Sequence, residues 1–292
     1  MHSYLPTIGL SNISKKELKN LLSIVEKFYD EKIVTEKENG EVFVEFSKEF
    51  AADCGLTVCG EYDVDGQFQM EYYYPYFRGS YITTRENVFI ERKAEKESYS
   101  GACDDVRIGV TLIFYLANVG MFLKEKNSRD ISKTITTLTL SGLSLDGKIL
   151  LPIEKSLEQE EQRQKINRKR TYLLEEARNG NEDAMESLTM EDMDIYSMVS
   201  KRIQTEDVLS IVESYFMPYG MECDRYHILG EIMDVEKVTN QMTGENLYQM
   251  MINCNDMEFS VCINENDLLG VPEEGRRFKG IIWLQGILNF MD

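Results

Sequence analysis

Three turn dipeptides, each set between runs of strand-forming residues, constrain this chain more than any other feature. Asn39-Gly40 separates Ile33-Thr35 from Val42-Phe46, Asp65-Gly66 separates Thr57-Asp63 from Phe68-Phe77, and Asp146-Gly147 separates Thr134-Leu145 from Lys148-Leu151. Such pairs accept the positive φ that tight hairpins need, so antiparallel hairpins are the economical reading. Ahead of them, Ser14-Lys15-Lys16-Glu17 has the form of a capping box. Leu18, Leu21, Leu22, Val25 and Phe28 follow at helical spacing, which predicts an amphipathic helix over 15–30. Asn87-Lys93 and Arg107-Leu116 are further strand candidates, although the second can also open a buried helix that runs to Lys124. Residues 1–152 thus read as one α+β unit, a largely antiparallel sheet with one or two covering helices.

From Ser156 the character changes. Glu158 to Arg170 is almost wholly polar, with Ile166 its only aliphatic residue, as in a mostly solvated helix. Asn179-Gly180 stops that helix, and three short helical patterns follow from near Asn181, Thr189 and Thr205, ending before Pro218. Ile195, Met198, Val199 and Ile203 form one apolar stripe and Val208, Val212 and Phe216 another. Residues 153–221 therefore read as a helical connector.

The last segment, 222–292, returns to β structure. Met257, Phe259, Val261 and Ile263 alternate with Glu258, Ser260 and Cys262, placing the apolar set on one strand face. His227 to Val238 and Leu247 to Cys254 precede it, a short helical turn at Glu265-Leu269 follows, and Phe278 to Phe290 is apolar on both faces. Gly280 and Gly286 suggest bends at barrel corners. The order strand, strand, strand, short helix, long strand suggests a small barrel resembling an oligonucleotide-binding fold.

The chain carries 51 acidic and 32 basic residues, and its formal charge of -19 repels polyanions. General binding to nucleic acid or to an anionic membrane face is disfavoured. The start, Met1-His2-Ser3-Tyr4-Leu5-Pro6, lacks the features of a secretory signal, so the mature protein is expected to begin there. Val110 to Leu123 is too short to span a bilayer as a helix. Six cysteines at irregular spacing read as reduced thiols, which points to the cytoplasm.

Candidate sites are few. Gly142 to Ile149 nearly matches a phosphate-binding loop, but Ile149 stands where Ser or Thr must hold magnesium, and a strand follows rather than a helix. Asp63-Val64-Asp65-Gly66 resembles the opening of a calcium loop, yet Tyr72 occupies the position of the bidentate Glu. His2 and His227 are isolated, no zinc spacing exists, and neither Cys54 nor Cys59 has a nearby His. No metal and no cofactor are expected. On a strand, Tyr72, Tyr74 and Tyr76 share one face that could stack on a ligand or simply be half-buried, and Pro75 argues for an edge position. Arg276, Arg277 and Lys279 are the basic cluster of the last segment. That segment has five basic and thirteen acidic side chains, a balance of -8, so solvated strand-end charges compete with phosphate binding as the explanation.

Several stretches resemble a family of Firmicutes proteins catalogued only as a domain of unknown function, DUF3881. They are Met1-His2-Ser3-Tyr4-Leu5 with Ile8-Gly9, Gly109 to Leu116, Leu140-Ser141-Gly142-Leu143, and above all Gly275-Arg276-Arg277-Phe278-Lys279-Gly280-Ile281-Ile282-Trp283-Leu284-Gln285-Gly286. The resemblance runs end to end and implies no activity, ligand or catalytic residue. Ala177 to Ala184 also resembles part of a short helical repeat, although a single copy cannot stack into a solenoid.

The leading expectation is a non-enzymatic binding or regulatory protein that contacts a protein partner. One alternative is a hydrolase or transferase with a carboxylate and aromatic site at an interface between units. Another is single-strand nucleic-acid binding through Arg276, Arg277 and Lys279. Oligomeric state is not written in the sequence.

Overall fold

The structure is a computed structural model that describes residues 1–37, 40–93, 98–105, 107–128, 135–153, 157–221 and 223–290. A 3-10 turn over Leu5–Ile8 precedes α1 (Lys15–Lys27), β1 (Glu31–Glu36), β2 (Val42–Ala51), β3 (Cys54–Tyr62) and β4 (Phe68–Phe77). Next come β5 (Val88–Arg92), β6 (Tyr99–Asp104), β7 (Thr111–Leu116), α2 (Val119–Ser128) and the long β8 (Ile135–Leu150). The helices α3 (Leu157–Arg178), α4 (Glu182–Arg202) and α5 (Val208–Ile211) follow. The chain closes with β9 (Tyr215–Pro218), β10 (Arg225–Thr239), β11 (Asn246–Cys254), β12 (Met257–Asn264), β13 (Leu268–Leu269) and β14 (Arg277–Phe290). The fold is mixed α+β.

The first sheet has the order β1-β2-β3-β4, antiparallel throughout. Its first two hairpins fall where the sequence predicts them, with Gly40 and Gly66 at φ 85° and 75°; Asn39 lies outside the described residues. The Ser14 capping box forms in full: the Glu17 N–H donates to the Ser14 hydroxyl, and the Ser14 N–H donates to the Glu17 carboxylate. This fixes the start of α1, whose Leu18, Leu21, Leu22 and Val25 are buried and which packs on β2 and β3. α2 packs on β1 and β2.

The second sheet has the order β13-β8-β12-β11-β10-β14-β7-β6-β5, with β9 beside β10. β8 is hydrogen-bonded on both edges, in parallel to β12 and antiparallel to β14, so the pairings β8-β12-β11-β10-β14 return to β8. The barrel expected from 222–292 alone does not close within that segment. β12 and β14 each pair with β8, a strand from the first half of the chain.

The third turn dipeptide makes no hairpin. Asp146 and Gly147 continue β8, which pairs with β14 from Ile135 opposite Phe290 to Leu150 opposite Arg277. The glycine is there for space: a Cβ at Gly147 would lie 2.5 Å from the Phe278 ring. Pairing along the whole of β14 overrides a local turn preference. Gly286 likewise makes room for a side chain, since a Cβ there would meet the Phe114 ring at 2.3 Å.

Other boundaries differ as well. Arg107-Leu116 supplies β7, and the helix starts only at Val119. β6, where only Tyr99, Gly101 and Cys103 alternate as buried, carries no turn signal and escapes a sequence reading. The patterns from Asn181 and Thr189 merge in α4, capped by the Asn181 side chain on the Ala184 N–H. Phe216 belongs to β9 rather than to a helix, because its ring packs 4.6 Å from Tyr226 and 5.5 Å from Phe259.

One hydrophobic cluster draws on both sheets, including Phe43 and Leu56 from the first and Phe114, Leu140, Ile228 and Phe259 from the second. Segments 1–152 and 222–292 thus share a sheet and a core. Polar links fasten the layers: the buried Gln285 amide donates to the Pro75 carbonyl at 2.8 Å and accepts from the Phe77 N–H at 3.1 Å. The Ser141 hydroxyl donates to the Phe77 carbonyl at 2.6 Å.

Candidate functional site

The described residues line a cleft of about 480 Å³ where the first sheet, α2 and the end of β14 meet. Its position follows from local chain geometry. β7 ends at Leu116, the Ala117 N–H bonds to the Gly286 carbonyl, and the chain turns into α2. The Asn118 side chain then fastens β14 to that turn, donating to the Leu288 carbonyl at 2.9 Å and accepting from the Leu288 N–H at 3.1 Å. Ile33, Met121, Ile287 and Leu288 give the cleft apolar walls, and Glu31, Arg78 and Glu125 bring charge.

Glu45 sits at its base. The run Val42-Phe43-Val44-Glu45-Phe46 is buried on both faces of β2, so its one carboxylate has no solvent side to turn to. Glu45 is 4% exposed, opposite Ile33 on β1 and Cys59 on β3. Its Oε2 accepts the Gly120 N–H at 2.9 Å, one of the donors that the first turn of a helix leaves without a partner in the helix. A Cβ at Gly120 would lie 2.9 Å from Ile33 and 3.2 Å from Glu45 Oε2, so the approach needs glycine.

Burial pushes the Glu45 carboxyl up to about 7. The Gly120 N–H works against that rise, Glu31 adds to it and Arg78 opposes it. Arg78 is itself engaged: its guanidinium reaches Glu31 at 2.5 Å and lies 4.9 Å from the centre of the Tyr76 ring. Among the described residues Glu45 makes no ion pair.

Tyr72, Tyr74 and Tyr76 do share a face, and β4 is an edge strand as Pro75 suggested. The face points inward: the three are 8%, 1% and 4% exposed. The Tyr74 hydroxyl donates to the Ala117 carbonyl at 2.9 Å and its ring meets Tyr115 edge-on at 4.9 Å. The tyrosines are therefore packed inside the protein, and none of the three lines the cleft.

Arg276, Arg277 and Lys279 are not gathered into one patch. Arg276 pairs with Glu273 at 2.8 Å. Arg277 is buried and donates to the carbonyls of Leu151, Leu209 and Val212, tying β14 to the end of β8 and to α5. Lys279 lies near His227, which burial and then the Lys279 charge hold below its ordinary value.

Other clefts among the described residues include one of about 510 Å³ between α1 and the 242–245 loop and one of about 460 Å³ beside α3 and α4. Neither is lined by a fully buried charge. Among the described residues, no group of three or more His, Cys, Asp or Glu could hold a metal ion and no helix is long and apolar enough to cross a membrane. The Cys54 and Cys262 sulfurs, one from each sheet, lie 3.6 Å apart, both buried, and burial pushes the Cys54 thiol well up.

Sequence reasoning missed Glu45, whose signal is an acid in the middle of a two-faced apolar run. It also missed Gly120 and Asn118, whose roles depend on contacts far along the chain.

No curated protein and no solved structure matches this chain. The profile described as "Domain of unknown function, E. rectale Gene description (DUF3881)" matches residues 5–286, and the chain belongs to that family.

Proposed function

We propose that this protein is a cytoplasmic, non-enzymatic binding protein whose cleft at Glu45 receives a small molecule and reports its presence to a protein partner. The observation that carries the reading is a carboxylate held at the base of an open cleft, without a counter-ion among the described residues. A buried charge costs several kcal/mol unless something compensates it, on the order of the desolvation penalties known for ions in protein interiors. Binding sites retain such groups because a ligand completes them.

The surroundings support the same reading. The closed circuit β8-β12-β11-β10-β14, with a 3-10 turn between β12 and β14, has the connectivity of an oligonucleotide-binding barrel whose last strand comes first in the chain. We read it as a small barrel that acts as a rigid frame, with β14 extending from it to the cleft wall.

A thermal-shift screen of small metabolites tests the proposal, with Met121→Trp as the variant that fills the cleft. Stabilising compounds should lose their effect in Met121→Trp. Hits that act equally on both proteins would sink the reading.

One observation favours a second reading, a hydrolase or transferase: a carboxyl titrating near neutrality can exchange protons at physiological pH. Turnover of phosphoester, glycoside or peptide substrates that disappears in Glu45→Gln would promote it.

A further inference from the structure

Among the charged groups that line the cleft, Glu31 and Arg78 pair with each other, with Arg78 also stacked on Tyr76, and Glu125 has contacts of its own, so Glu45 is the carboxylate that a ligand entering the cleft would meet. The polar end of the cleft therefore suits a positive ligand. Beside it, Ile33, Met121, Ile287 and Leu288 form an aliphatic wall, and Asn118 and Asn289 add amides to the rest of the lining. A volume of about 480 Å³ fits a molecule of metabolite size. Glu45 has one oxygen on the Gly120 N–H, and the other accepts no hydrogen bond among the described residues.

We infer that the ligand is a short primary alkylammonium, its charged head on Glu45 and its chain along the aliphatic wall, and that its capture expels a proton from the site. This rests on the reading of the cleft as a ligand site. The balance is simple: the protonated carboxyl of Glu45 gives its proton to bulk water, and the carboxylate left behind pairs with the ammonium. No other group exchanges a proton or electrons.

The groups facing Glu45 are Glu31 from β1, Cys59 from β3, Tyr74 from β4, Arg78 beyond it, Tyr115 from β7 and Glu125 from α2. Burial pushes the Cys59 thiol and both phenols well up, so these stay neutral through the pH range that matters. Arg78 stays charged. With Glu45 titrating near 7, only the ionised fraction binds the cation. Affinity should then rise about tenfold between pH 6 and pH 8, with about half a proton released per ligand at pH 7.

The experiment is calorimetric titration of the full chain with primary amines from butylamine to octylamine, and with the matching alcohols and carboxylates. It is run at pH 6, 7 and 8 in two buffers of different ionisation enthalpy, on the wild type, Glu45→Gln and Met121→Trp. Expected are amine binding that strengthens about tenfold with pH, a buffer-dependent heat at pH 7, and loss of both in Glu45→Gln. Alcohols or carboxylates that bind as well as amines, and are blocked by Met121→Trp, would overturn the cation while leaving the cleft reading intact. Amine binding indifferent to Met121→Trp would overturn both. No amine binding into the millimolar range would overturn the inference alone.

Discussion

The carboxylate of Glu45, in the middle of β2, accepts the N–H of Gly120 in the first turn of α2 at 2.9 Å, and this one bond joins a sheet to a helix across 75 residues of chain. Burial makes the carboxyl hard to ionise, and the Gly120 N–H offsets only part of that. Its folded value, about 7, lies above the 4.5 of an ordinary Glu, so the native state binds the proton more tightly than the unfolded one does. The stability this group contributes is therefore complete below about pH 4.5 and lost as pH rises through about 7. The loss is about 3 kcal/mol, at ~1.4 kcal/mol for each pH unit of difference. Urea denaturation of wild type and Glu45→Gln across this range should show the difference between them moving in favour of Gln as pH rises.

Gly120→Ala tests the close approach itself. The methyl would press on Ile33 and on Glu45 Oε2. Despite the better helix propensity of alanine, stability should fall by about 1–3 kcal/mol, the usual cost of overpacking. The shift in denaturation midpoint checks it.

Gln285→Leu should be costlier. It leaves the Pro75 carbonyl and the Phe77 N–H without their partner inside the protein. Each such group costs about 1–3 kcal/mol, so a loss of about 2–5 kcal/mol is expected. A loss under about 1 kcal/mol would mean that water takes the place of the amide.

Arg277 and Arg276 should separate cleanly, although they are neighbours in sequence. Arg277→Met removes three hydrogen bonds to carbonyls and should destabilise the fold by about 2–4 kcal/mol. Arg276→Ala, which breaks one exposed ion pair with Glu273 and a bond to the Val271 carbonyl, should stay within about 1 kcal/mol. Equal effects in paired melts would contradict this division.

Thiol chemistry should follow burial. Cys223 is exposed, and Cys54, Cys59, Cys103, Cys254 and Cys262 are buried. An aromatic disulfide reagent should titrate one fast thiol in the native protein and all six only after denaturation.

Local signals were readable without coordinates wherever they needed only neighbours in sequence. The capping box at Ser14, the hairpins at Gly40 and Gly66 and the strand β12 depend on short-range sterics and period, and each formed where it was expected, although β12 is buried on both faces, with Ser260 and Cys262 covered as well as Phe259 and Val261. Asp146-Gly147 looked the same in sequence, but its glycine accommodates Phe278 from a strand some 130 residues away. The acid within Val42-Phe46 was visible, yet nothing near it announced that Gly120 would reach it.

Residue types and their spacing determined the first two hairpins, the helix α1, the strand β12, the mixed α+β class and the family, but not β6, β9 or the run of β8 through Asp146-Gly147. Only the tertiary structure decided that β8 would bridge β12 and β14, that the tyrosines of β4 would turn inward, and that a cleft would open over Glu45. The reason is physical: helix and strand preferences are set by a residue's own backbone and nearest neighbours, whereas burial, pKa and the space at a glycine depend on groups that meet only after the chain has closed on itself.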